Sequence, residues 1–248
     1  MAGTRRGPVR VSPLAPVIPV LGIPVLNRPD LLAACIASID ADVERLVVID
    51  NSPDASLGEV AEAALPDNVR TLIVATPPAN LGYTASVNHV IRTHPKAPWW
   101  CIANADTEFA PGDLGRLADA TTGLRWVGVV DWRVFGLTAE TIERVGFWDE
   151  CFFNYCSDAD YEWRCQLGGV EILRLPGATT HVGSVGYAGD SRYAAHNARS
   201  YPIERAYYRD KWGGDLRGGE TFTTPFGAGG HIGSWRLELP RLAAEAWD

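Results

Sequence analysis

Two unbroken apolar runs, each ending in a short acidic turn, constrain this chain more than anything else in it. Leu46-Val47-Val48-Ile49 leads into Asp50-Asn51-Ser52-Pro53-Asp54, and Trp99-Trp100-Cys101-Ile102-Ala103 leads into Asn104-Ala105-Asp106-Thr107. A strand without polar alternation is buried on both faces, the condition of a parallel sheet covered by helices. Such a sheet presents ligand-binding groups just beyond the carboxyl ends of its strands. Residues 18–25 and 69–75 read as two further strands. Helical patterns lie between the strands at 31–39, 57–65 and 81–94, and another at 113–121 follows the acidic turn at Asp106. This alternation predicts an α/β fold on a mostly parallel, Rossmann-like sheet flanked by helices.

The second half reads differently. Residues 126–135 look like one strand, 138–145 a short helix, 147–155 an aromatic loop, 158–167 a helix and 170–175 a strand. Residues 201–212 form a late helix too rich in Tyr and Trp to be solvated, and 213–233 are glycine-rich without a period. We expect a flexible N-terminus over 1–15, a catalytic domain over 16–190 and a helical and irregular extension over 191–248. The extension is expected to pack on that domain or on a second copy of the chain, as a homodimer.

At 248 residues the chain suits one domain with a substantial core and a small appendage. Its net charge of −8 argues against general nucleic-acid binding. A phosphate group remains bindable through a metal ion or a local Arg. The five cysteines are odd in number and lack a C-x-x-C pair, so neither a zinc site nor a disulfide framework is indicated. Reduced thiols suit a cytoplasmic protein. No apolar run approaches the ~18 residues of a membrane span, and no signal-peptide core is visible.

Acidic groups stand at Asp50, at Asp106 and in the Asp158-Ala159-Asp160 pair, and His181 follows a predicted strand. Carboxylate with imidazole suits Mn²⁺ or Mg²⁺. Ordered motifs run from Pro24-Val25-Leu26-Asn27-Arg28 through Asp50-Asn51-Ser52 to Asn80-Leu81-Gly82-Tyr83-Thr84-Ala85-Ser86-Val87-Asn88. They continue through Asn104-Ala105-Asp106, Gly146-Phe147-Trp148-Asp149-Glu150, Ser157-Asp158-Ala159-Asp160 and Gly177-Ala178-Thr179-Thr180-His181. In order and spacing this set resembles the family 2 glycosyltransferases of GT-A fold, near their rhamnosyltransferase- and galactofuranosyltransferase-like branch.

The resemblance implies inverting, metal-dependent transfer of a sugar from a UDP, dTDP or GDP donor to a hydroxyl in carbohydrate biosynthesis. The acceptor is a carbohydrate, a lipid-linked species, a small molecule or a protein. Under it, Asp158 takes the general-base position and Asp106 the metal position, with His181 as second ligand. Pro24, Asn27, Arg28, Asp50, Asn51, Asn80, Asn88 and Asn104 surround the donor nucleotide. Trp148, Asp149, Glu150 and Asp160 fall by the donor sugar or acceptor. Two departures stand out: Asn104 replaces a frequent Asp, and Ser157 replaces a frequent acidic residue before the base. The second leaves Asp160 as the alternative base, although it is better placed to hold Arg164 or cap the helix. Trp132, Trp148 and Tyr187 are candidates to line an acceptor cleft. A non-catalytic nucleotide-sugar- or carbohydrate-binding module is the alternative function.

Overall fold

The computed structural model describes residues 16–181 and 191–227. The expectations for 1–15, for Tyr187 and for the last part of the C-terminal extension lie outside these residues.

The four anticipated strands are β1 (Leu21–Val25), β2 (Leu46–Asp50), β3 (Leu72–Ala75) and β4 (Trp99–Ala103). All run parallel, β1 pairing with β2 and β4, and β2 with β3. The first and third come out shorter than their apolar runs. Ile18 and Val69 join the sheet only through isolated bridges to Val43. Helices α1 (Pro29–Ala37), α2 (Leu57–Ala63), α3 (Gly82–Thr93) and α4 (Asp113–Ala120) fill the connections. A pair of two-residue strands, β5 (Thr107–Glu108) and β9 (Thr180–His181), forms a separate antiparallel ribbon.

Residues 126–135, expected as one strand, are a hairpin. β6 (Arg125–Gly128) turns through Asp131, whose φ is 49°, into β7 (Val134–Thr138). β7 runs antiparallel to β4 and β6, and β8 (Glu171–Arg174) is parallel to β6. The sheet order is therefore β3-β2-β1-β4-β7-β6-β8, with one reversed strand. Thr138 caps α5 (Ala139–Val145) by accepting the Thr141 N–H at 3.1 Å. α6 (Ser157–Gly168) follows, and the long α7 (Ser191–Trp212) starts ten residues before the expected helix. Its first turns are polar and carry no apolar period.

One face of the sheet packs Leu32, Ile36, Leu57, Leu114 and Leu117 from α1, α2 and α4. The other packs Val87, Val90 and Ile91 of α3 beside Trp126, Phe135, Trp148 and Tyr161. Trp148 stacks on Tyr161 at 4.6 Å. A third cluster seats Tyr207, Tyr208 and Trp212 of α7 on Phe152, Cys156 and Ala159. α7 thereby covers the start of α6.

Candidate functional site

The carboxyl ends of β1, β2 and β4 and the start of α3 open onto one cleft. Its main cavity is about 270 Å³ and is lined by Tyr83, Asn104, Asp106, Trp132, Arg133, Asn154, Tyr155, Cys156, Ser157, Asp158 and His181. A recess shares Tyr83, Asn104 and Asp106 and extends to Pro24, Leu26, Arg28 and Leu31. A second recess, bounded by Pro24, Asn51, Asn80 and Gly82, shares Tyr83 and Asn154.

The β5–β9 ribbon sets Thr107 opposite His181 and so brings His181 to the acidic turn after β4. His181 Nε2 lies 3.1 Å from Asp106 Oδ1. Burial pulls the pKa of His181 down, and nearby Arg133 adds to this against the pull of Asp106. The neutral imidazole is thereby favoured, and that is the metal-binding form. Asn104 is held by its N–H donating to the Arg133 carbonyl at 2.8 Å. Its buried Oδ1 has no hydrogen-bond partner among the described residues. An acidic oxygen, an imidazole and an unsatisfied amide oxygen on one wall fit a divalent cation of the Mn²⁺ or Mg²⁺ class. The described residues hold no cluster of three or more His, Cys, Asp or Glu that would grip a metal alone.

Several expected nucleotide residues shape this wall from beneath. Asp50 accepts the Ser52 N–H at 2.9 Å and the Leu57 N–H at 3.0 Å, fixing the turn and the start of α2. Asn51 accepts the Leu81 N–H at 2.9 Å and donates to Ser86 at 3.1 Å. Asn80 accepts the Gly82 N–H at 2.8 Å. Asn27 and Arg28 are both left-handed, with φ of 51° and 62°. The Asn27 N–H donates to Ser52 Oγ at 2.8 Å, and Arg28 pairs with Asp30 at 2.7 Å. Pro24, Arg28, Asn51, Asn80 and Asn104 face the cleft, whereas Asn27 and Asp50 do not line it.

Five other expected residues are spent on hydrogen bonds, ion pairs and packing between elements and do not line the cleft either. Asn88 grips the loop before α6, accepting the Trp148 N–H at 2.9 Å and donating to Glu150 at 2.7 Å. Trp148 is core, 3% exposed. Glu150 also pairs with Arg92 at 2.6 Å. Asp149 accepts from Tyr207 at 2.6 Å and from Lys211 at 2.8 Å. Burial raises the pKa of Asp149, but Lys211 and Tyr207 outweigh it and hold the carboxyl at about 2. Asp160 is fully buried between Lys211 at 2.6 Å, Trp212 Nε1 at 2.8 Å and Arg164 at 2.9 Å.

Asp158 does line the cleft. The N-cap of α6 is Cys156, left-handed at φ 61°, which leaves Asp158 in the first turn rather than at the cap. A helix N-terminus favours the ionised form of Asp158. Burial instead raises its pKa, outweighing Arg217 and the local N–H groups. Arg217 Nη2 lies 2.6 Å from Asp158 Oδ2.

The cleft also holds residues that sequence reasoning missed as site groups: Tyr83, Asn154, Tyr155 and Arg133. Tyr83 sits inside a motif already noted, and Asn154 and Tyr155 in the aromatic loop over 147–155. Arg133 carries no sequence signal, because it lies in a turn that reads as the middle of a strand.

Residues 21–163 match the family model described as Glycosyl transferase family 2. No curated protein matches the chain. Among solved structures, the mannosyltransferase PcManGT from Pyrobaculum calidifontis, in complex with GDP-Man and Mn²⁺, is 19% identical with a TM-score of 0.57. That match covers 98% of this chain and 73% of PcManGT. GalNAc-T7 with UDP, GalNAc and Mn²⁺ is 11% identical with a TM-score of 0.58, covering 80% of this chain and 51% of that one. TarS of S. aureus is 13% identical with a TM-score of 0.52, covering 74% of this chain. This match spans only 40% of TarS.

Proposed function

Since the chain belongs to glycosyl transferase family 2 and has its neighbours' GT-A fold, we propose that it is an inverting, nucleotide-sugar-dependent glycosyltransferase. The observation that carries this reading is a single cleft holding both the Asp106–His181 pair and Asp158. In a single displacement the acceptor oxygen bonds to the anomeric carbon as the bond to the diphosphate breaks. Asp158 takes the acceptor's proton, and its burial-raised pKa makes it a stronger base than an exposed Asp. Asp106 and His181 would hold Mn²⁺ or Mg²⁺, which supplies positive charge against the departing diphosphate.

Arg133 supports the same reading. It is exposed in the cleft and makes no ion pair among the described residues, so its guanidinium is available to the diphosphate. The recesses at Pro24, Arg28, Asn51 and Asn80 suit the nucleoside of a UDP, dTDP or GDP donor, the last two with Asn27 and Asp50 acting as supports. Tyr83, Trp132 and Tyr155 offer apolar faces to a sugar ring or acceptor. We place the catalytic unit at 16–190, with α7 as its brace. Cys35, Cys101, Cys156 and Cys165 are buried as free thiols, which supports a reducing, cytoplasmic setting. No described helix is long and apolar enough to cross a membrane.

The test is thermal denaturation with UDP-, dTDP- and GDP-sugars, with and without Mn²⁺, followed by a transfer assay. A bound donor raises stability by mass action. Asp106→Ala should abolish the metal-dependent part of that rise and leave the unliganded melting point near that of the parent. Full activity in excess EDTA, or an unaltered D106A enzyme, would count against metal dependence. Donor stabilisation with no turnover toward any acceptor would favour the binding-module reading.

A further inference from the structure

The turn after α7 returns to the cleft and places a cation on the one cleft carboxylate assigned to proton transfer. Arg217 reaches Asp158 Oδ2 through Nη2 at 2.6 Å, and its Nε lies 3.8 Å from Glu162 Oε2. The turn that carries it is braced from several sides. Arg217 is left-handed at φ 60°. Its N–H and that of Gly218 each donate to Glu220 at 2.7 Å, and Tyr208 of α7 bonds the same carboxylate. Asp215 is tied back to α7 by Arg205 and Arg209. The guanidinium is therefore delivered by a folded support, 59 residues along the chain from the carboxylate it meets.

We propose that Arg217 is a positioning residue for Asp158, holding Oδ2 so that Oδ1 is the oxygen that receives the acceptor's proton. This rests on the reading of Asp158 as the base. A carboxylate free to rotate in an open cleft spends much of its time misdirected, and one held at a single oxygen does not. Among the described residues Arg217 also brings the nearest positive charge to Asp158. The other charged or titratable groups around it are Asp131 in the β6–β7 turn, Glu162 on α6, Cys156 before α6 and Arg174, which pairs with both Asp131 and Glu162. Arg133, Asp106 and His181 line the same cavity. Asp131 and Glu162 are answered by Arg174, so removing Arg217 leaves Asp158 in a less positive surrounding.

The experiment compares Arg217→Ala, Arg217→Lys and Asp158→Asn in the full chain, using the donor found by thermal denaturation. R217A should lower kcat by about 10–100-fold, leaving donor KM and the donor-induced rise in melting point unchanged. The acid limb of its kcat/KM profile should move upward by about one pH unit, because the ionised carboxylate has lost its cation. R217K should restore the position of the limb more fully than the rate, since Lys keeps the charge but not the planar fork. Glu220→Gln, which loosens the support, should give the R217A pattern in weaker form. The pair is half-exposed, so R217A should melt as the parent does. If R217A fails to fold, R217K against E220Q decides the matter by the same two readouts. A parental rate and pH profile in these variants overturns the proposal while leaving the base intact. A fully active D158N overturns the base assignment itself.

Discussion

Asp158 and Asp160 stand two residues apart on the same helix and live in different regions of the molecule. Asp158 opens to the cleft, 37% exposed, with one cation on one oxygen. Asp160 faces the packed side beneath α7, 1% exposed, with Lys211, Arg164 and Trp212 occupying both oxygens. A carboxylate whose lone pairs are all spent cannot accept a substrate proton without breaking what holds it. One left partly wet and raised in pKa can. The contrast extends outward: Asp106 and His181 belong with Asp158, while Asp149 and Lys211 belong with Asp160. Residue type alone does not separate the two groups; the count of satisfied partners does.

The sharpest way to break this comparison is to neutralise each carboxylate in turn. Asp158→Asn should lose about 10²–10⁴ in transfer rate, with melting point and donor binding near those of the parent. Near-normal turnover would remove Asp158 from the chemistry. In the packed region the larger effect falls on stability. Lys211→Met removes the cation between buried Asp160 and half-buried Asp149, and should cost about 3–5 kcal/mol of unfolding free energy. Chemical denaturation reads that loss. An equally stable K211M would show that the cluster under α7 is not what fastens it.

The part of this molecule that the sequence discloses is the part governed by burial pattern. Leu46 to Ile49 and Trp99 to Ala103 must be interior strands, and the residues after them must stand at the sheet edge. That reasoning leads to Asp106. The hairpin β6–β7 escaped because Val129-Val130-Asp131-Trp132 carries neither Gly nor Pro to mark its turn. Arg133 was missed with it. The β5–β9 ribbon has two residues per strand, too few for any period. Asn88, Trp148, Asp149 and Glu150 sit in the motifs beside true cleft residues, yet their types are demanded by hydrogen bonds to α3 and α7 and by stacking on α6. A motif records that a residue type is required and not which requirement it meets. Arg217 has no local signal, since its partner is distant in sequence.

Gly82 sharpens the comparison where the two regions touch. It opens α3 with φ at 71°, and a Cβ there would come within 2.4 Å of the Phe153 ring. Phe153 directly precedes the cleft residues Asn154 and Tyr155, and its carbonyl accepts the Tyr83 N–H at 2.8 Å. Gly82→Ala therefore meets both a left-handed backbone and a collision. It should cost about 1–3 kcal/mol and raise KM for donor or acceptor by displacing the cleft wall. A variant with parental stability and KM would mean that this contact yields freely.

The effect that emerges only as pH rises belongs to Glu204, the buried carboxyl of α7 that joins the packed region to the cleft loop. Its Oε2 accepts the N–H groups of Asn154 and Tyr155 at 3.1 and 2.6 Å. Burial outweighs these bonds and pushes its pKa to about 8, well above the 4.5 of an unperturbed Glu. A group whose folded pKa is raised binds more protons folded than unfolded, so its contribution to stability is complete below about pH 4.5 and is lost as pH rises towards about 8. Across that window the slope from this group is at most about 1.4 kcal/mol per pH unit. Glu204→Gln keeps an acceptor for the two N–H groups and removes the titration. The difference in unfolding free energy between E204Q and the parent should therefore grow in favour of the variant as pH rises from 5 to 8. Parallel stability curves for the two proteins would show that Glu204 is already ionised in the folded chain, held so by the loop it supports.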